Sequence, residues 1–259
     1  MHATADRFSP YTSEYLYGEH VGLIECAQSS TTDLNISESY PNDTHWLHVR
    51  ALRDGYEGYI HRDHLCEVHK ISATHRVCSR STLVFSGNSI KSGVRLRLPF
   101  LSQLDILDED CGPFVELADG GFIWKTHVQK INEPIGHCAI ALAQTHFLGA
   151  PYLWGGCSPQ GVDCSGLIQA LANALCIRVE RDSIDQEKTL ANNVEVEDRS
   201  AGDIVYWPGH TGLLLDKKNL LHATAHSLSC VVEPLDVVTA RAGDITSIKR
   251  LFNGTYHRG

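Results

Sequence analysis

Asp163-Cys164-Ser165 joins a glycine-rich turn, Trp154-Gly155-Gly156, to an apolar stretch running from Gly166 to Leu175. Leu167, Ile168, Leu171 and Leu175 fall on one face at helical spacing, so the stretch predicts a helix over 164–176 buried against a sheet. Asp163 takes the N-cap position and Cys164 the first helical position. A thiol there faces unpaired N–H groups and the positive end of the helix dipole, which favour the nucleophilic thiolate. The dipole supplies about 0.3–1 kcal/mol, less than one pKa unit, so an imidazolium is needed to bring a thiol from about 8.5 to below 7. His210 and His222 follow downstream in a segment that reads as a β-hairpin. A cysteine and two histidines in one compact region are the ingredients of a cysteine hydrolase.

With fifteen histidines in the chain, position and not number singles out these two. His210 follows Trp207-Pro208-Gly209 and opens a strand, and His222 lies across the turn at Lys217-Lys218. A hairpin loop of two or four residues pairs His222 with Leu213 and sends the two rings to opposite faces. An odd-numbered loop, or a bulge at Gly212, puts them on one face. The chemistry predicts such an adjustment, or a His210 just ahead of the regular strand. The other histidines, His226, His69 and His146 among them, are assigned to surface or core. A zinc site from His222, His226 and Cys230 fails on spacing, because strand residues four apart lie about 13 Å apart. No metal and no cofactor is expected.

The elements that must position these residues come next. Residues 15 to 130 read as short strands, including 20–26, 46–52 and 58–65. Gly58-Tyr-Ile-His-Arg-Asp-His-Leu65 lines up with Gly121-Phe-Ile-Trp-Lys-Thr-His-Val128, a repeat of about 63 residues that suggests two consecutive small β-barrels. Glu133-Pro134 marks a change of composition, with a helix expected over 135–148. The helix over 164–176 follows, and then strands over 201–207, 210–216, 219–225 and 247–252. Helices first and antiparallel strands later form an α+β pattern.

The 259 residues allow one large domain or two to three small ones. The formal charge of −9 argues against nucleic acid and against electrostatic adhesion to anionic surfaces. No run of eighteen apolar residues is present, so no membrane insertion is expected. The N-terminus lacks a signal-peptide pattern, and the nine cysteines form no CxxC pair, which fits a reducing compartment. Both point to a cytoplasmic location. Cys26, Cys66, Cys78, Cys138 and Cys176 lie in apolar stretches and are expected in the core.

Five segments carry a family resemblance: Tyr152-Leu-Trp-Gly-Gly156, Asp163-Cys-Ser-Gly-Leu167, Gly202-Asp-Ile-Val-Tyr206, His210-Thr-Gly-Leu-Leu214 and Leu221-His-Ala223. In order and spacing they resemble the NlpC/P60 family, papain-like cysteine peptidases of bacterial cell-wall peptides. Thr211 stands where the family usually has Val. The preceding region resembles a tandem of bacterial SH3-like (SH3b) domains, on Leu16-Tyr-Gly-Glu19, Asp54-Gly-Tyr-Glu-Gly-Tyr59 and the repeat. The implied layout is an SH3b domain with an N-terminal extension at 1–72, a second SH3b domain at 73–131, and a papain-like α+β catalytic domain at 132–259. The resemblance implies Cys164 as nucleophile, His210 as general base, His222 as the residue orienting that base, and Tyr152 as a hydroxyl near the oxyanion or substrate.

Relatives with SH3b domains typically cleave γ-D-glutamyl-meso-diaminopimelate bonds, some requiring a free L-Ala amine. An ammonium in a closed cleft needs carboxylates, for which Asp163 and Glu19 are the candidates, with Tyr56 or Tyr59 beside them. Ser165 and Ser183 match positions that contact the D-Glu carboxylate, while Arg181 and Asp182 are assigned to capping or surface. The expected partner is a small peptidoglycan-derived peptide bound by a monomer. The rivals are a wall-peptide binding protein with a vestigial catalytic domain, and an amidase or acyltransferase on the same scaffold.

Overall fold

The computed structural model describes residues 1–24, 45–68 and 73–252. Cys26, the end of the strand expected over 20–26, and His69 lie outside the described residues.

Two small all-β units precede a mixed helix-and-sheet domain. In the first, Val21–Leu23, Trp46–Ala51 and Glu57–His61 pair antiparallel in that order. In the second, Ser81–Phe85 and Phe122–Trp124 lie inside a five-stranded sheet, and His75–Val77 pairs with Val128–Lys130 and Gln103–Leu104. Val77, Val84, Leu98, Leu104, Val115, Leu117 and Ile123 fill its core. The sequence repeat is repeated in the backbone. Glu57–His61 runs into a 3-10 turn at Arg62–His64, and 63 residues later Phe122–Trp124 runs into one at Lys125–His127. The turns leave at Leu65 (φ −121°, ψ 146°) and Val128 (φ −122°, ψ 151°), nearly the same angles.

The third unit holds a five-stranded antiparallel sheet in the order Ser229–Pro234, Asn219–Thr224, His210–Leu214, Ile204–Trp207, Ser247–Lys249. The helix Cys164–Ala174 packs on its middle strands, and Leu167, Ile168 and Leu171 are fully buried there with Ile204, Leu213 and Leu221. That core continues into the β units through Leu16, Phe100 and Leu101. Leu235–Ala242 covers the other face, burying Leu235 and Val238 against Val205, Trp207 and Leu220. Among the described residues no helix is long and apolar enough to cross a membrane.

Three expectations are corrected. The helix over 135–148 begins only at Ala139, because Gly136 turns left-handed (φ +71°), and Cys138 caps it by accepting the Ala141 N–H. It then widens into a π-helical turn over Ala143–Phe147. Cys66 and Cys176 are exposed, and Cys78 and Cys138 only partly buried. Among the described residues the buried thiols are Cys157, Cys164 and Cys230; Cys66, Cys78, Cys138 and Cys176 lie in turns and connecting segments outside the packed strands and helices. The strand Ser229–Pro234 and the helices Ser183–Thr189 and Leu235–Ala242 were missing from the sequence reading. The strand's Cys230, Val231 and Val232 are consecutive and do not alternate, and the helices span only seven and eight residues, so their periodicity is weak.

Candidate active site

Asp163 N-caps the helix Cys164–Ala174: its Oδ1 accepts the Gly166 N–H at 2.7 Å, which starts the helix at Cys164. The second carboxylate oxygen accepts the Gly155 N–H at 2.8 Å and so ties the glycine turn to the helix start. Gly166 is required there, since a Cβ would sit 2.1 Å from the Gly156 carbonyl oxygen. Arg181 reaches the same carboxylate at 2.6 Å, and also donates to Ser165 Oγ at 3.0 Å, with only 2% of its surface exposed. At the helix's other end, Arg76 of the second β unit donates to the carbonyls of Asn173 (2.7 Å) and Ala174 (3.1 Å), a cation at the negative end of the dipole. Both ends of the segment carrying the thiol are therefore fixed by arginines.

The hairpin places both imidazoles on one face. Leu213 pairs with Leu221 and Leu214 with Leu220, and the Leu215 N–H closes on the Asn219 carbonyl. The loop is thus the three residues 216–218, an odd number, and the register sets Gly212 opposite His222. The expected adjustment comes from loop length and not from a bulge. Gly212 is still needed, because a Cβ there would fall 2.4 Å from a Leu220 methyl and 3.0 Å from the His222 Cβ. His210 Nε2 then lies 2.7 Å from His222 Nδ1, and His222 Nε2 lies 2.9 Å from Glu233 Oε2.

Cys164, His210 and Tyr152 line one cleft of about 290 Å³, together with Trp154, His226 and Arg241. The main-chain amides of Ser165 and Thr211, the latter next to His210, favour the charged sulfur. Its protonation differs from the sequence expectation. Burial, with the Asp163 carboxylate adding to it, outweighs those two donors and pushes the thiol up to about 11. Burial and the neighbouring His222 ring take His210 down to about 4. Both shifts favour the uncharged forms, a thiol and an imidazole, at rest. The thiol loses its proton when His210 takes it, not beforehand. Burial also raises the Tyr152 phenol to about 12, with Cys164 and Asp163 contributing, so it is a hydrogen-bond donor at neutral pH.

The remaining candidates lie outside that cleft. Glu19, from the first β unit, pairs with Arg53 at 2.7 Å and accepts the Leu16 N–H. Tyr56 donates to Asp182 at 3.1 Å across the seam between the units. Asp182 is also the N-cap position of the helix Ser183–Thr189, with Ser183 its first residue. Arg181, assigned to capping or surface, is instead the buried partner of Asp163. Tyr59 stays within the first unit, stacked 4.7 Å from His48. Sequence reading missed Glu14, whose carboxylate accepts from the Cys157 N–H and Ser158 Oγ, and missed Glu233 and Arg241. Parity could have found Glu233: two strands flank His222, and the Val-rich run 229–234 carries one carboxylate.

Residues 149–242 match the NlpC/P60 family, a span holding Cys164, His210 and His222. The chain is 27% identical over 253 residues to gamma-D-glutamyl-L-lysine dipeptidyl-peptidase of Bacillus subtilis (strain 168), covering 93% of this chain and 81% of that one. It is 27% identical over 255 residues to dipeptidyl-peptidase 6 of Lysinibacillus sphaericus, covering 91% and 88%. Among solved structures, an NlpC/P60 family protein from Bacillus cereus superposes with a TM-score of 0.73 at 20% identity, covering 93% of this chain and 82% of that one. This last likeness concerns the fold.

Proposed function

Since the chain carries an NlpC/P60 family domain and is a peptidase of that family, we propose that it is a cysteine endopeptidase cleaving γ-D-glutamyl-meso-diaminopimelate bonds in small peptidoglycan-derived peptides. The observation that carries this reading is the alignment of Cys164, His210 and His222: thiol and base line one cleft, and the base is held at 2.7 Å by a second ring.

The reaction follows from these groups. His210 takes the Cys164 proton as the sulfur attacks the γ-glutamyl carbonyl carbon. The oxyanion meets the Cys164 main-chain N–H and the Tyr152 hydroxyl. His210 then returns the proton to the departing amine, the C–N bond breaks, and a thioester remains. Water, deprotonated by His210, hydrolyses that thioester and restores the thiol.

For the substrate's other end we propose the seam between the first β unit and the catalytic domain. Asp163, Glu19 and Tyr56 gather around it, and a free L-Ala ammonium there would be desolvated and in need of carboxylates. Asp163 and Glu19 each already hold a guanidinium, so the ammonium shares them with Arg181 and Arg53. Ser165 and Ser183 are assigned to the D-Glu carboxylate. In this layout residues 1–72 and 73–131 are the two SH3-like units and 132–259 the catalytic domain.

The test is incubation with L-Ala-γ-D-Glu-meso-diaminopimelate under reducing conditions, with release of free diaminopimelate as the expected result. No release removes the substrate assignment. Cleavage of the L-lysine analogue alone keeps the bond and changes the residue that follows it.

A further inference from the structure

The chemistry above leaves unused the charged pair that stands beside His222. Glu233 stands in Ser229–Pro234 opposite Leu220, and His222 stands opposite Val231. The two side chains are therefore diagonal neighbours on one face of the sheet. Arg241, from the helix Leu235–Ala242, donates to both carboxylate oxygens, at 3.1 and 2.6 Å. That pairing holds Glu233 at about 2, so it is a carboxylate and accepts only.

The direction of each hydrogen bond then follows. Facing an acceptor at 2.9 Å, His222 must carry its proton on Nε2. A neutral imidazole has one N–H, so Nδ1 of His222 is a bare acceptor. His210 Nε2, 2.7 Å from it, must be the donor. This uses His210's one proton and leaves its Nδ1 as a lone pair. The opposite order is equally regular: a proton on His222 Nδ1 makes His210 accept at Nε2 and carry its proton on Nδ1, where no base remains for the thiol. Nothing within the two rings chooses between these orders.

We propose that Glu233 is a positioning residue that makes the choice: through His222 it fixes the tautomer of His210, so that the Nδ1 lone pair serves Cys164. Arg241 keeps the carboxylate ionised and aimed. The inference rests on reading Cys164 as nucleophile and His210 as base.

Glu233→Gln tests it sharply. Arg241 takes the amide oxygen, which turns the amide N–H toward His222 Nε2 and makes that nitrogen an acceptor. Both rings then reverse. Two-bond ¹⁵N–¹H spectra of the histidine rings at pH 7.5, assigned with His210→Ala and His222→Ala, read the outcome directly. The wild type should show both rings protonated at Nε2, and Glu233→Gln should show both at Nδ1. Its kcat on the tripeptide should fall roughly 10–100-fold, as for other outer partners of working histidines, with KM changed less than about twofold. Glu233→Asp should recover part of the loss.

A wild-type His210 protonated at Nδ1 overturns the proposal, as does a Glu233→Gln protein with native tautomers and native kcat. Should Glu233→Gln not fold, the wild-type spectrum decides. If the wild type releases no diaminopimelate while the tautomers reverse as expected, the relay stands and the substrate assignment falls.

Discussion

The two sides of Cys164 are built on opposite electrostatic plans. On the His210 side, a half-buried and a fully buried imidazole are kept neutral by desolvation, and the nearest ion pair, Glu233 with Arg241, stays at the partly exposed rim (21% and 29% side-chain exposure). On the seam side the charges themselves are buried: Asp163 with Arg181 (9% and 1%), and Glu19 with Arg53 (4% and 14%). Buried ion pairs hold geometry stiffly but are costly to disturb. Neutral imidazoles are the groups that can move a proton near pH 7. The contrast assigns fixing to the seam and proton transfer to the relay.

The largest effect that would break this contrast comes from the thiol. Cys164→Ala and His210→Ala should abolish turnover while leaving the thermal midpoint nearly unchanged, read by peptide assay and calorimetry. A large melting shift with activity retained would make them structural. Arg181→Met is the opposite case. It leaves the Asp163 carboxylate buried and unpaired, and should lower stability by about 3–5 kcal/mol in denaturant unfolding. A native midpoint in that variant would remove the seam from the structural account.

His222→Gln should weaken turnover without ending it, by roughly 10²–10⁴-fold in kcat, since His210 keeps its place but loses the ring acceptor that orients its Nε2–H. Next comes pH. His210 is depressed to about 4, so its base form persists as pH falls through the ordinary histidine value of 6.5 and is lost only toward 4. The acid limb of kcat/KM should therefore lie below pH 6, and a limb at 6.5 or higher would show that burial does not keep the ring neutral. The smallest effect belongs to the seam: Tyr56→Phe removes one hydrogen bond to Asp182, worth roughly 0.5–1.5 kcal/mol, and should raise KM several-fold with kcat unchanged.

Much of the relay was legible in the chain because its signals are local. The Asp163 N-cap, the apolar face of Leu167, Ile168 and Leu171, and the parity requirement on His210 and His222 all depend on neighbours within about a dozen residues. The 63-residue repeat was legible for the same reason and returned as matching strand-and-turn backbones. The seam was not legible. Arg181 reads as a cap in sequence, yet it is buried because the segment 156–165 folds back over it and supplies Gly156, Asp163 and Ser165 as its partners. Cys66 and Cys176 sit among apolar residues in sequence but in an exposed loop and an exposed turn in space.

The order of residues alone determined that a thiol would open a buried helix and that two imidazoles would share one hairpin, because helix caps and strand parity are set by chain geometry over a few residues. Tertiary structure alone decided the proton's starting place. The depth of burial around sulfur 164 and ring 210 comes from packing between elements far apart in the chain, where the helix Cys164–Ala174 meets the sheet. A charge's stability depends on its distance from water, and no run of residues specifies that distance by itself.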